Sequence, residues 1–145
     1  MSIKSMENVG IVVEDLASAT AFFVELGLTL LGEGLVEGDW VDRVVGLEGV
    51  RVDVAMLETS DGNGRLELMK FHSPPAGSGD PSAPANTLGL RRVAFAVDDI
   101  DAAVAGLHAR GEEHVGEVVT YEDSYRLCYV RGPGGIIVML SQRMG

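Results

Sequence analysis

The chain of 145 residues is 46% apolar and 23% charged, which suits one ordinary domain with a real core and excludes a disordered chain. Its formal charge of -11 argues against nucleic acid and would favour a cationic small molecule over an anionic one, although acid also serves solubility and alone names no ligand. With no apolar run near the ~20 residues that span a bilayer, no secretory segment at the start and a lone Cys128, a cytoplasmic protein without membrane partner or internal disulfide is expected.

The first element is the strand "VGIVV", whose alternation gives one face to a helix. Asp15 follows, and its carboxylate can accept the free N–H groups of the first helical turn. Alanines let that helix lie close to a sheet, and Gly27 ends it. Strand-like runs come next at 28–31, 51–57 and 65–71, the last two joined by the hairpin turn "SDGNG". The intervening "WVDRVVGLEG" (40–49) fits either a loop or one helical turn. Residues 72–89 hold four of the five prolines and read as an irregular linker.

The chain then repeats itself. Residues 93–111 align with 9–27 at a constant offset of 84, with identities at Val9/Val93, Val13/Val97, Asp15/Asp99, Ala19/Ala103, Ala21/Ala105 and Gly27/Gly111. Strands at 114–120, 125–131 and 136–141 follow, with "GPGG" (132–135) as the last tight turn. Each half is therefore β-α-β-β-β, with module one at 6–71 and module two at 90–142.

Two such modules, opening "VGIVVEDL" and "VAFAVDDI" and closing "RLELMKF" and "GPGGIIVML", resemble the vicinal oxygen chelate superfamily of glyoxalase I, extradiol dioxygenases and bleomycin-resistance proteins. The resemblance implies an α+β fold of two tandem βαβββ modules whose mixed sheets form a cup. In the family's enzymes a divalent metal sits at its centre, held from the first and last strands of the modules. Carried over residue by residue, the histidine before "VGI" falls on Asn8 and the glutamate of the fourth strand on Glu67. The histidine before "VAF" falls on Arg92, and the closing glutamate on Met139. Only Glu67 is a hard anionic ligand. Asn8 offers a neutral amide oxygen, Arg92 stays cationic near neutral pH, and Met139 is soft and uncharged. No metal or other cofactor is therefore expected, and Arg92 and Glu67 are expected to pair as charges across the cup.

Other chemistry is sparse. His72 in the linker, His108 on the second helix and His114 at a strand start share no ligand spacing and are expected at the surface. Cys128 reads as a buried, inert thiol. No catalytic residue is assigned.

Strand parity puts Asn8, Gly10 and Val12 on the cup side, opposite Val9, Ile11 and Val13. The same parity leaves Arg92, Ala94 and Ala96 facing the cup. In the expected ligand site Asn8, Glu67 and Arg92 are polar anchors, Trp40 and Tyr125 stack, and Val54, Met56, Ala94 and Met139 form apolar walls. By likeness to bleomycin-resistance proteins, the expected function is metal-free sequestration of a bulky aromatic natural-product antibiotic by a homodimer. The alternative is a lyase, isomerase or dioxygenase on the same scaffold, with Glu67 as general base or a relocated metal. A third reading fills the cup with the protein's own side chains.

Overall fold

The computed structural model describes residues 2–145. Two compact units divide the chain, one running through Gly79 and one from Asp80 to Gly145, so the division falls inside the proline-rich segment. Each unit carries one mixed four-stranded sheet.

In the first unit β1 (Val9–Val12) runs into α1 (Leu16–Leu26) through Asp15. The Asp15 carboxylate accepts the Ser18 N–H at 3.0 Å and the Ser18 hydroxyl at 2.9 Å, filling donors that the first turn leaves open. Gly27 closes the helix at φ 113°, in the left-handed region where a side chain would be strained. β2 (Thr29–Glu37), α2 (Asp39–Val45), β3 (Arg51–Glu58) and β4 (Arg65–Ser73) follow. The sheet order is β1-β4-β3-β2, with β1 parallel to β4 and the other pairs antiparallel. α1 packs its buried Ala19, Phe22 and Phe23 on β3 and β4, where Ala55, Leu57, Leu66 and Leu68 are buried. Burying each large side chain contributes roughly 1.5–3 kcal/mol.

The other face of this sheet belongs to α2 at one end. Val41 of α2 is buried with Val50 and Val52, and Val36, Val54, Met69 and Phe71 pack against them. Asp42 ties the return to β3, its two carboxylate oxygens accepting the Gly49 and Val50 N–H groups at 2.9 and 2.8 Å.

The second unit repeats the plan with β5 (Arg92–Ala96), α3 (Ile100–Ala109), β6 (Val119–Tyr121), β7 (Tyr125–Arg131) and β8 (Ile137–Arg143), in sheet order β5-β8-β7-β6. Asp99 caps α3 by accepting the Ala102 N–H at 3.0 Å. Gln142 accepts the Ile100 N–H at 2.8 Å, and Asp101 takes Arg126 in a two-point bond at 2.6 and 3.0 Å. Ile100, Leu107, Cys128, Val130, Val138 and Leu140 are the buried apolar residues of these elements on the helix side. The end of the linker folds back within this unit. Arg131 donates to the Ala83 carbonyl at 2.9 Å, and a Cβ on Gly135 would lie 2.4 Å from Pro81 Cα.

Three expectations change, and one open alternative is decided. β2 runs on to Glu37 instead of stopping at Leu31, because pairing with β3 carries through Gly32 and Gly34, where no alternation marks a strand. Of the alternatives for 40–49 the helical one holds, since α2 starts one residue earlier at Asp39 and runs to Val45. Of 114–120 only Val119 and Thr120 join β6, while His114 makes a lone bridge to Val130 and Gly116 interrupts the run. His72 lies in β4 and not in the linker, with Nε2 2.7 Å from an Asp53 carboxylate oxygen. No helix among the described residues is long and apolar enough to cross a membrane.

The close approach at Gly135 makes Gly135→Ala costly, since the residue also sits at φ 84°. A loss of at least about 2 kcal/mol is expected in urea unfolding, from backbone strain plus displacement of Pro81. Acid should act through three carboxyls. The Ser18 N–H and hydroxyl hold Asp15 below its ordinary value of 3.8, as the Thr59 hydroxyl and the Asn63 N–H do for Asp61 and Arg126 for Asp101. The folded state thus binds these protons more weakly than the unfolded chain. Their stabilisation is present above that ordinary value and is lost as pH falls through the lowered folded values. The melting temperature should drop below about pH 4, and an Asp15→Asn, Asp61→Asn, Asp101→Asn triple variant should flatten that limb in a circular-dichroism series.

Candidate functional site

Register assigns the open face of each sheet. In module one Gly10, Glu67, Met56 and Gly32 stand side by side across four strands, and Val12, Met69, Val54 and Gly34 form the next row. A Cβ on Gly10 would lie 2.9 Å from the Met69 methyl, so the glycine leaves room for the end of that flexible side chain. Glu67 is half-buried in this setting of glycine and thioether. Within its module it forms no hydrogen bond or ion pair, whereas its neighbour Glu58 is taken by Arg65 at 3.0 Å. The face is therefore an apolar trough with one uncommitted carboxylate, bounded by the α2 cluster.

In module two Ala94, Met139 and Tyr129 form the corresponding row. Ala94 is short enough to leave Met139 partly open. Arg92 Nη1 donates to the Tyr129 hydroxyl at 2.6 Å, with the guanidinium carbon 5.5 Å from the ring centroid. The partner observed for Arg92 is thus a tyrosine of its own module, whereas Glu67 was the one expected. Beside this pair lies a cavity of about 320 Å³ whose walls include Val115, Glu117, Val119, Leu127, Tyr129 and Met139. Cys128 is buried, and burial pushes its thiol pKa up, so it is a poor nucleophile.

The nine expected site residues divide between the units. Val54, Met56 and Glu67 share the open face of module one, while Arg92, Ala94 and Met139 share that of module two. Asn8 is exposed just ahead of β1. Trp40 is 61% exposed on α2, because the adjacent Val41 is the residue that turns into the cluster. Tyr125 is 40% exposed and sits opposite Tyr121 and Arg143, four residues along β7 from Tyr129. Tyr129, Leu127 and Met69 were missing from the expected site, although the alternation that placed Met139 and Glu67 also assigns them to these faces. A turn after α3 brings His108 and His114 edge to face at 4.7 Å, which their six-residue separation gave no reason to expect. The Nδ1 atom of His114 is buried without a partner.

A metal does not fit the family's four ligand positions. Arg92 there is a hydrogen-bonded cation, Met139 a thioether and Asn8 an amide, leaving Glu67 alone as an anionic donor. Among the described residues no three His, Cys, Asp or Glu side chains gather as a metal-holding group.

Known proteins give this geometry its context. A glyoxalase family protein of Bacillus cereus superposes with a TM-score of 0.96 at 49% identity, covering 100% of this chain and 97% of its own. YaeR of Escherichia coli (strain K12), an uncharacterized protein, is 29% identical over 144 residues, 99% of each chain. TnmS3, an antibiotic binding protein from Streptomyces, shares the fold at a TM-score of 0.63 and 24% identity, covering 99% of both chains. The profile of one family matches residues 7–129, all but the first residue of module one and most of module two, and on that match the chain belongs to the glyoxalase/bleomycin resistance protein/dioxygenase superfamily.

Proposed function

We propose that this chain is a metal-free small-molecule binding protein that sequesters a bulky aromatic natural-product antibiotic in the cytoplasm and so confers resistance. The observation that carries the reading is the exchanged ligand set. Asn8, Arg92 and Met139 stand where the family's enzymes hold their metal, and Arg92 is committed to Tyr129. Both modules otherwise keep their frame, so a binding surface persists without the centre that drives the family's chemistry.

The surfaces suit such a ligand. Met56, Met69 and Val54 in one module, and Leu127, Tyr129 and Met139 in the other, are apolar and adaptable. Burying about 200 Å² of aromatic ring contributes about 5 kcal/mol, against roughly 1 kcal/mol for a single neutral hydrogen bond. Affinity would come from the walls, and orientation from Glu67 and Arg92. TnmS3 lends the reading support at the level of scaffold, since the same fold there serves antibiotic binding.

Titration with aromatic antibiotics should quench Trp40 fluorescence saturably, and the purified protein should carry no stoichiometric Zn, Fe, Mn or Ni. Tightly bound stoichiometric metal would overturn the reading. So would substrate turnover that Glu67→Gln abolishes while ligand affinity is unchanged, which would make Glu67 a general base.

By the habit of the family, the working form is a homodimer. Sedimentation at micromolar concentration should give twice the chain mass, and a value near 15.3 kDa would remove this part of the proposal.

A further inference from the structure

Module two holds a fixed cation at the side of an apolar cavity. The Tyr129 hydroxyl accepts from Arg92 at 2.6 Å, so its own hydrogen remains free to donate elsewhere. Arg92 keeps further N–H donors, and no carboxylate of module two takes them. Asp101, the module's paired acid, is engaged by Arg126 on the helix side of the sheet. The guanidinium is held in place by the hydrogen bond and by the ring beneath it, so little freedom is lost when it binds. The same Tyr129 ring, with Leu127, Val119 and Met139, lines the cavity of about 320 Å³. Donors converge at one end of the tyrosine, and apolar surface lies along its side.

We infer that this cavity binds a small amphipathic monoanion, an aromatic or branched aliphatic carboxylate, with its head on Arg92 and the Tyr129 hydroxyl and its apolar body against Leu127, Val119 and Met139. The inference rests on the small-molecule-binding reading and gives that reading a ligand chemistry for one module. A planar guanidinium matches a carboxylate at two points, which a lysine would not. Glu117, a carboxylate in the cavity wall, disfavours a second negative charge on the ligand. The chain's charge of -11 opposes anions at long range, but salt screens it beyond about 8 Å, and charge-assisted bonds act at contact.

Three probes of one shape test it, namely 2-naphthoate, 2-naphthamide and naphthalen-2-ylmethylammonium, titrated by calorimetry with methionine-methyl NMR to report Met139. The acid should bind more tightly than the amide by about tenfold, with the Met139 methyl shifting. Arg92→Ala should abolish that preference by weakening the acid more than the amide, with the melting temperature unchanged. Arg92→Lys should restore it only in part, and Tyr129→Phe should weaken the acid alone. Equal binding of acid and amide, a preference for the ammonium, or an acid affinity indifferent to Arg92→Ala would overturn the assignment and leave the wider binding reading standing. Failure of all three probes to bind at millimolar concentration would overturn the assignment, while saturable quenching of Trp40 by an antibiotic would still uphold the wider reading.

Discussion

A β-sheet has two faces, and each module supplies one long helix. That single constraint organises the molecule. α1 and α3 each seal one face with fully buried residues such as Phe23 and Leu107, and what becomes of the opposite face is then the open question. Module one answers in part with α2, whose Val41 joins Val50 and Val52 over the end of the sheet. In module two the described residues include no second α-helix, and a cavity lies along β7 beside Tyr129. Two copies of one plan have thus arrived at different open surfaces.

The differences are chemical as well as spatial. Module one's open face carries Glu67 without a partner inside the module, among glycines and methionines. Module two's carries Arg92 held by Tyr129. Glu67 and Arg92 both fall at positions where the family's enzymes bind their metal, and they have opposite charge. The open faces of the two modules therefore differ in polarity, an acid on one and a hydrogen-bonded cation on the other.

The elements that repeat were legible, for a physical reason. Asp15 and Asp99 cap by the same bond to the third residue on, and Gly27 and Gly111 take up positive φ at the matching helix ends. Strand parity carried through to the faces of Glu67, Met56, Ala94 and Met139. Long β2 was illegible because a strand through Gly32 and Gly34 is defined by its partner's backbone, with no pattern of its own. α2 was ambiguous because seven residues are too few for a periodicity to declare itself. Trp40 and Tyr125 were chosen for their type; where they point depends on Val41 and on the end of β7, which composition does not encode. The Arg92–Tyr129 contact joins residues 37 apart in sequence and emerges only when β5, β8 and β7 are laid side by side.

Each core is closed on its helix side before the opposite face is specified. Exposed side chains such as Arg92 and Ala94 therefore contribute little to whether the chain folds, and substitutions at these positions should cost little stability. The scaffold separates what must be kept from what is free to vary. On the binding reading proposed above, the open faces could change their ligand while the helix-side cores, and with them the backbone, stayed as they are.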